Sequence, residues 1–327
     1  MTWLRAFGRF FEQKIGLRRL GIALSLIIVA IAAVVLYRKL HNINVDKVLT
    51  AMATVEYRDV VISALFVAAG YFTLTFYDLF ALRTIGRKDV PYRVAALAGF
   101  TSYSVGHNVG ASVFTGGAVR YRIYSAWGLD AIEVAKICFI AGLTFWLGNL
   151  TVLGFGFAYH PEAASHIDQL PLWLNRSLGI AALMVLAGYV AWVWRTPRVI
   201  GRQNWQVQLP NGRLTLLQIV IGIVDLTFCA AAMYVLVPNT PHMQFVDVAV
   251  IFITATLLGF ASHSPGGLGV FDAAMLIALW EFDAEELLAG LLIFRLLYYI
   301  TPFALALAIL GIREFMLHFT ERRNGGD

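Results

Sequence analysis

The chain has 327 residues, of which 59% are hydrophobic and only 14% are charged, and its formal net charge at pH 7 is +5. Because soluble domains carry about 25% charged residues, this composition excludes an ordinary soluble protein and predicts a polytopic membrane protein. The basic residues flank apolar segments, as membrane topology requires, so we expect no nucleic-acid partner.

The N-terminal part of the chain is basic and leads into a membrane-length apolar run. Segment 1–19 contains five Lys or Arg residues, and we expect it to be a cytoplasmic N-terminus. The run Leu20–Tyr37 is long enough to span about 27 Å as a helix. We expect this run to remain as an anchor and not to be removed as a signal peptide.

Further apolar stretches follow along the chain, separated by loops that differ in charge. The stretches are Val60–Leu82, Val94–Val113, Ile132–Phe157, Ser177–Trp194, Leu214–Val237, Val248–Ala261, Val270–Trp280 and Leu287–Gly311. Lys and Arg are concentrated in 83–93, 195–213 and 312–327 and are scarce in 158–176, 238–246 and 281–286. The loops that are rich in Lys and Arg are expected in the cytoplasm. Segment 38–58 is an exception, since it is basic and lies between two spans on the external side.

This distribution of charge constrains two regions. Residues 94–131 must leave and re-enter the same side of the membrane, and residues 247–281 must do so from the opposite side. The second limb of the first region, 116–128, is too short to cross about 30 Å of hydrocarbon. Both regions are therefore predicted to be re-entrant helical hairpins.

The predicted fold is an all-α polytopic membrane protein with about six full spans and two re-entrant hairpins, arranged as an inverted repeat of about eight membrane segments. Its parts are a basic cytoplasmic N-terminus (1–19), a first membrane repeat (20–157), an external loop (158–176), a second membrane repeat (177–311) with a cytoplasmic hairpin loop (195–213), and a cytoplasmic tail (312–327). A rival interpretation makes every limb a full span. Within the loop, Asn211-Gly212 predicts the turn of a short β-hairpin.

Each predicted hairpin contains a glycine-rich interruption. One runs from Gly106 through His107, Asn108 and Gly110 to Arg122, and the other is His263–Asp272. Lipid cannot hydrogen-bond a broken backbone, so such interruptions survive only where protein or water surrounds them. Matched interruptions in two halves of a membrane protein indicate a substrate site between the repeats.

Two stretches carry a resemblance to a known family. Gly116–Leu129 resembles the membrane region of the bacterial lysylphosphatidylglycerol synthases, and His263–Phe271 resembles the second signature of that superfamily, including its stand-alone form. The resemblance implies a flippase-like region, which in the bifunctional proteins carries aminoacylated phosphatidylglycerol to the outer leaflet. Because these 327 residues include no aminoacyltransferase domain, it implies transport and not synthesis. Asp272 stands where the family pattern leads us to expect Glu.

Several residues near the interruptions are suited to bind the phosphate of a lipid. Thr115 and Ser264 precede glycine-led helix starts, whose free N–H groups attract anions. Arginine side chains bind phosphate in a bidentate manner. The alternative for Arg120 and Arg122 is that they are ordinary inside-facing anchors. The lipid- or anion-binding candidates are Thr115, Gly116, Gly117, Arg120, Arg122, Tyr124, Ser264, Gly266, Gly267, Gly269 and Arg295.

A second group consists of polar residues inside membrane-length sequence. Arg295 lies among leucines, and an unpaired charge there would cost at least about 2.5–3.5 kcal/mol. Either Asp225 or Asp272 would offset this cost, and the sequence does not choose between them. The candidates for polar or coupling roles are Asp78, His107, Asn108, Asp225, His263, Asp272 and Tyr298.

The leading functional interpretation is a lipid translocator in the bacterial cytoplasmic (inner) membrane, with both termini cytoplasmic. Membrane phospholipid is the expected partner, aminoacylated phosphatidylglycerol is one candidate, and a separate lipid-modifying enzyme is a further candidate partner. We expect no catalytic residue, metal or cofactor. The alternatives are an embedded enzyme acting on lipid headgroups, with His263 and Asp272 as its acid–base pair, and a transporter of a small anionic solute.

Overall fold

The computed structural model describes residues 26, 29–38, 41, 43–110, 112–196, 198–202 and 205–324. The predicted basic segment 1–19 and the beginning of the first predicted span lie outside the described residues. The described part of that span is helix α1, Val29–Arg38.

The chain after α1 consists almost entirely of helices. They are α2 (Val45–Thr54), α3 (Tyr57–Thr84), α4 (Tyr92–Val109), α5 (Ser112–Tyr124), α6 (Ala131–Tyr159), α7 (Pro161–Asp168), α8 (Leu172–Val193), α9 (Gly212–Tyr234), α10 (Phe245–Ala261), α11 (Val270–Ala278), α12 (Ala284–Arg295) and α13 (Thr301–Asn324). A π-helical segment, Leu296–Ile300, joins α12 directly to α13. Short 3₁₀ turns follow α5 (Ser125–Trp127) and α10 (Pro265–Gly267).

Within the described residues, five helical segments are long and apolar enough to cross a membrane. They are α3, α6, α8, α9 and the rod Ala284–Met316, which contains α12 and most of α13. Each coincides with an apolar stretch found in the sequence. The predicted all-α polytopic membrane protein is therefore confirmed.

The loop after α8 contains a two-stranded antiparallel sheet, β1 (Val199–Arg202) and β2 (Trp205–Gln208). The expected turn at Asn211-Gly212 is wrong. Asn211 instead caps α9, because its side chain accepts a hydrogen bond from the backbone N–H of Leu214 (3.1 Å). Asparagine is favoured in turns and at helix N-caps alike, so the residue type alone does not distinguish the two.

Both glycine-rich interruptions break their helices, as predicted. Gly110 separates α4 from α5 with φ +82° and ψ 177°, a combination essentially restricted to glycine. Between α10 and α11, left-handed φ values occur at His263, Gly266, Gly267 and Gly269. Helical hydrogen bonding cannot continue through such backbone, so each apolar region becomes two helices joined by a turn.

One end of the helix bundle gathers the loops that are predicted to be cytoplasmic, and we name it the basic end. Arg87, which precedes α4, donates a hydrogen bond to the carbonyl oxygen of Trp127, which follows α5 (2.7 Å). Trp205 of β2 packs against Phe139 of α6 with ring centroids 5.6 Å apart. The pair α4–α5 therefore begins and finishes at the basic end.

The opposite end of the bundle gathers the other loops. His160, which follows α6, lies 3.0 Å from the carboxylate of Asp247 near the start of α10. The ring of His166 in α7 hydrogen-bonds the carbonyl oxygen of Ala278, the last residue of α11 (3.1 Å). The pair α10–α11 therefore begins and finishes at this end, and the two hairpins enter the bundle from opposite ends.

The centre of the bundle is held by close helix crossings. Helices α6 and α9 cross at Gly148 and Gly222, where a Cβ atom added to Gly148 would lie 2.7 Å from the Cα atom of Gly222. Small residues at such a crossing let two backbones pack directly, as is common between membrane helices. This crossing joins a helix of each predicted repeat.

Candidate functional site

The two helix breaks lie against each other in the core. A Cβ atom added to Gly110 would be 3.5 Å from the Cα atom of Pro265 and 3.6 Å from the carbonyl oxygen of His263. A Cβ atom added to Gly266 would be 3.8 Å from the carbonyl oxygen of His107. The interruptions of the two hairpins are thus in direct backbone contact.

A buried ion pair holds the second break. The guanidinium of Arg295 binds the carboxylate of Asp272 in a bidentate manner, with N–O distances of 2.8 and 2.7 Å. Its remaining nitrogen donates to the carbonyl oxygen of Gly266 (3.1 Å). Of the two partners that the sequence left open for Arg295, the structure has Asp272. The pair joins α11, the break and the last membrane rod.

A second buried ion pair lies within the first half of the chain. Arg120 of α5 binds Asp78 of α3 through Nε and Nη2, with a shortest distance of 2.7 Å. The hydroxyl of Tyr124 donates to the same carboxylate (2.7 Å), and the ring of Tyr103 lies 4.8 Å from the Arg120 guanidinium carbon. Each hairpin therefore has a second limb that is anchored by a carboxylate–arginine pair, with the charges exchanged between α5 and α11.

The expected helix start at Gly116 is wrong. Helix α5 begins at Ser112, so Thr115, Gly116 and Gly117 lie within it, and the Thr115 hydroxyl donates to the carbonyl oxygen of Gly110 (3.1 Å). Gly116 has a packing role, since an added Cβ atom would lie 3.0 Å from the carbonyl oxygen of Ser102 in α4. These residues present no open helix N-terminus to an anion.

The expected cap at Ser264 is also wrong. Ser264 precedes only a 3₁₀ turn and makes no side-chain cap; its hydroxyl bonds that of Ser262 (2.8 Å). The α-helix starts later, at Val270, and there Asp272 accepts a hydrogen bond from the backbone N–H of Gly269 (3.0 Å). A carboxylate of the chain itself thus occupies the position that was predicted for an external anion.

Two other candidates lie at the edge of this region. Arg122 forms an exposed pair with Glu314 of α13 (2.6 Å), so it is not grouped with the core charges. His263 is exposed, and its ring Nδ1 hydrogen-bonds the carbonyl oxygen of Ala261 (3.0 Å). Since Asp272 is bound by Arg295 and Gly269, the proposed His263–Asp272 acid–base pair is not formed.

Beside the breaks lies a small cavity, mostly apolar but with several polar groups in its wall, which we name the core cavity. It encloses about 30 Å³ and is lined by Leu74, Tyr103, His107, Phe145, Asp225, Leu226, Cys229, Phe252, Ile253, Thr256, Phe260, Tyr298 and Tyr299. A space of this size accepts water-sized species. It is too small for the headgroup of a phospholipid.

Asp225, which lines the core cavity, is the centre of a small set of polar contacts. Tyr77 donates its hydroxyl proton to Oδ2 of Asp225 (3.0 Å), and the sulfur of Cys229 lies 3.9 Å from Oδ1. The same sulfur lies 3.5 Å from the hydroxyl of Tyr298. The Nδ1 atom of His107 is buried and has no hydrogen-bond partner in the described part of the chain.

Asn108 joins the first break to the π-helical segment. Its amide nitrogen donates to the carbonyl oxygens of Ser104 (2.8 Å) and Tyr299 (3.0 Å). In the π-helical segment, the carbonyl oxygen of Tyr298 accepts from the hydroxyl of Tyr71 (3.0 Å). A π-helical turn leaves carbonyl groups available for such partners, and these turns are common at functional sites.

An apolar groove adjoins the core cavity on the side of α6, α9 and α10. Its volume is about 330 Å³, which is within the usual size of ligand clefts. It extends from Tyr159 and His160 to Leu226 and Ile253. Leu226 and Ile253 also line the core cavity, so the two spaces are neighbours that share these aliphatic side chains.

Sequence reasoning missed several members of this site. Tyr77, Tyr103 and Cys229 are not among the residues that the sequence singles out. Cys229 is buried and contacts both Asp225 and Tyr298. The available signal was helical spacing, since Asp225 and Cys229 are four residues apart and share a helix face.

Within the described residues, no three His, Cys, Asp or Glu side chains form a group that could hold a metal ion.

The fold and site define an all-α membrane protein in which two broken-helix hairpins meet in the core. No family model matches the chain. The chain is 31% identical over 254 residues to an uncharacterized protein of Synechocystis sp., covering 77% of this chain and 79% of that protein. It is 30% identical over 248 residues to the inner membrane protein YbhN of Escherichia coli (strain K12), covering 74% and 76% respectively. The chain belongs to the family of YbhN and is a multi-pass inner membrane protein.

The chain is also similar to a larger enzyme. It is 25% identical over 285 residues to the phosphatidylglycerol lysyltransferase of Staphylococcus aureus, covering 86% of this chain and 32% of that enzyme. The resemblance to the lysylphosphatidylglycerol synthases that the glycine-rich segments predicted is therefore confirmed. The chain spans about a third of the length of this relative. These similarities support a role connected with membrane lipids.

Proposed function

We propose that this protein is a lipid translocator that moves a phospholipid between the two leaflets of the inner membrane. The observation that carries this proposal is the contact between Gly110 and Pro265, where two broken helices from opposite ends of the bundle touch beside two buried arginine–carboxylate pairs. Broken helices that meet near the midplane are the usual substrate sites of transporters built from repeats.

The proposal includes the topology of the protein. Hairpins α4–α5 and α10–α11 are re-entrant, and they are the equivalent elements of an inverted repeat, 20–157 and 177–311. The return of each hairpin to its own end of the bundle supports this arrangement. The basic end faces the cytoplasm, as its excess of Lys and Arg suggests, and both termini are cytoplasmic.

Lipid headgroups bind where the carboxylates now lie. Arg120 and Arg295 are both fully paired, and the core cavity excludes a headgroup, so the structure represents a closed state under this proposal. A phosphate that replaces Asp272 at Arg295 keeps the bidentate geometry of the guanidinium. The two ion pairs thus hold the arginines in position for an anion until the hairpins separate.

The acyl chains of the lipid remain in an apolar environment during this movement. The groove between α6, α9 and α10 provides one, and it shares Leu226 and Ile253 with the lining of the core cavity. The staphylococcal relative is a phosphatidylglycerol lysyltransferase. Phosphatidylglycerol or its aminoacylated form is therefore our first candidate substrate, and a separate lipid-modifying enzyme would supply the latter.

The test uses purified protein in proteoliposomes that contain fluorescent phosphatidylglycerol in both leaflets. A membrane-impermeant quencher measures how fast the inner-leaflet lipid reaches the outer leaflet. We expect wild-type protein and Arg213→Ala, which changes an exposed arginine of α9, to move lipid. We expect Arg295→Ala to abolish the movement.

Arg295→Ala leaves Asp272 buried without its partner, and misfolding would also abolish lipid movement. A second variant therefore separates the two causes. Arg295→Gln combined with Asp272→Asn removes both charges and keeps similar shapes. A folded double variant that moves lipid at the wild-type rate would exclude Arg295 from the mechanism. Mass spectrometry of the same lipids separates this proposal from headgroup chemistry, since a translocator leaves every headgroup mass unchanged.

A further inference from the structure

The buried charges of the core do not balance. Arg120 is paired with Asp78 and Arg295 with Asp272, so these four groups cancel. Asp225 is 4% exposed, and none of the described residues forms a salt bridge with it. One carboxyl group in the middle of a membrane-spanning helix is left without a cation.

The surroundings of Asp225 supply hydrogen bonds but no positive charge. The titratable groups that line the core cavity with it are Tyr103 and His107 from α4, Cys229 from its own helix, and Tyr298 and Tyr299 from the π-helical segment. Tyr77 of α3 donates to its carboxylate, and Tyr71 of α3 lies nearby. The side chains of α6 and α10 that line the cavity are Phe145, Phe252, Ile253, Thr256 and Phe260. The guanidinium of Arg120 lies over the ring of Tyr103 and is already bound to Asp78.

An ionised carboxylate in such a place is costly. Burial of an isolated charge is so unfavourable that the group becomes neutral instead, and intramembrane carboxyl groups commonly serve as proton relays. Oδ2 of Asp225 already accepts the hydroxyl proton of Tyr77. Oδ1 accepts only a long contact from the weakly donating thiol of Cys229 (3.9 Å), so it is the oxygen placed to carry a proton.

We propose that Asp225 is a proton-binding site whose occupancy is coupled to the opening of the core cavity. This inference rests on the proposed function, because the coupled movement is that of the lipid. In the closed state the Oδ1–H bond is formed. When the hairpins separate and water or a headgroup enters, the carboxyl group is solvated and the proton leaves.

His107 is the group placed to receive that proton. It lines the same cavity, and its Nδ1 atom is buried without a hydrogen-bond partner in the described part of the chain. Its backbone carbonyl contacts Gly266 of the second break, so a movement of the breaks also moves His107. Through His107, the protonation of Asp225 is therefore coupled to the position of the two hairpins.

The first test measures the proton directly and does not depend on lipid movement. Infrared spectra of the protein in nanodiscs at pH 7 should contain a protonated-carboxyl band that disappears in Asp225→Asn. The band should persist in Asp89→Asn, whose carboxylate is exposed at the basic end. Tyr77→Phe removes the hydrogen bond to Asp225 and should shift the band without abolishing it. A wild-type spectrum without such a band would overturn the inference.

The second test measures coupling in proteoliposomes with an imposed pH gradient. The lipid-movement rate of the wild type should change by up to about tenfold per pH unit of gradient, and Asp89→Asn should behave in the same way. Asp225→Asn should lose this dependence. A wild-type rate of lipid movement that does not depend on the gradient would refute the coupling but not the translocator. If no lipid moves while the infrared band is present, the translocator and the coupling are both refuted, and only the proton-binding site remains.

Discussion

Gly110 and Pro265 come from different halves of the chain and pack backbone to backbone, with a Cβ atom added to Gly110 lying 3.5 Å from the Pro265 Cα atom. An added Cβ atom would therefore reach only ordinary van der Waals contact, and it is the backbone conformation of Gly110 (φ +82°, ψ 177°) that requires a glycine here. The relative position of the two hairpins depends on this backbone contact together with the Arg295 hydrogen bond to Gly266.

Gly110→Ala should reduce both stability and lipid movement. Alanine at the φ and ψ of Gly110 is strained by about 1–3 kcal/mol, and relief of that strain would shift the backbone that packs against Pro265. The matched control is Gly86→Ala, which also has a positive φ but no atom within 4 Å of an added Cβ. Thermal unfolding should detect a loss in both variants, while the proteoliposome assay should be slowed in Gly110→Ala alone. Equal lipid-movement rates would argue against a role for the break contact.

The Asp78–Arg120 pair should show strong energetic coupling. Removing one partner leaves a buried charge and should destabilise the protein by about 3–5 kcal/mol, whereas neutralising both should cost much less. The measurement is a double-mutant cycle with Asp78→Asn, Arg120→Met and the double variant, followed by denaturant unfolding in detergent. If the free-energy costs of the two single variants add up to the cost of the double variant, the two side chains are not energetically coupled.

The crossing of α6 and α9 should not tolerate a methyl group. A Cβ atom added to Gly222 would lie 2.8 Å from the Gly148 Cα atom, so Gly222→Ala should force the helices apart at a cost of about 1–3 kcal/mol. Gly142→Ala is the control, because an added Cβ there meets no atom within 4 Å. A melting temperature that falls only for Gly222→Ala is the expected result, and an equal fall in both would contradict it.

The proposed orientation can be tested with single cysteines. Lys88→Cys lies at the basic end and Asn239→Cys at the opposite end, and both positions are exposed. A membrane-impermeant maleimide added to intact cells should label Asn239→Cys and not Lys88→Cys, while disrupted cells should allow both. The reverse pattern would place the basic end outside and invert the proposed topology.

The sequence predicted the presence of the hairpins but not all of their details. Their glycines and the charge of the flanking loops were sufficient to predict two interruptions, and both exist. The start of α5 was misplaced because Gly116-Gly117 was interpreted as the interruption itself. In the structure the first helix ends at Gly110, and Gly116 lies inside α5, where it makes room for the carbonyl oxygen of Ser102.

The charged core could be predicted only in part. Arg295 lies among leucines and clearly required a carboxylate, yet Asp225 and Asp272 were equally acceptable. Helical spacing defines which face of its own helix a residue occupies, but not its depth relative to a neighbouring helix. For the same reason Asp78 and Arg120 were each identified as candidates without being recognised as a pair. The π-helical segment after Arg295 has no composition signal of its own.

Leu226 and Ile253 line both the apolar groove and the core cavity. These two aliphatic side chains are therefore a wall that the two spaces share. A change of rotamer at either position would alter the access from the groove to the carboxyl group of Asp225 without any movement of a helix, so side-chain packing contributes to this barrier in addition to the separation of the hairpins.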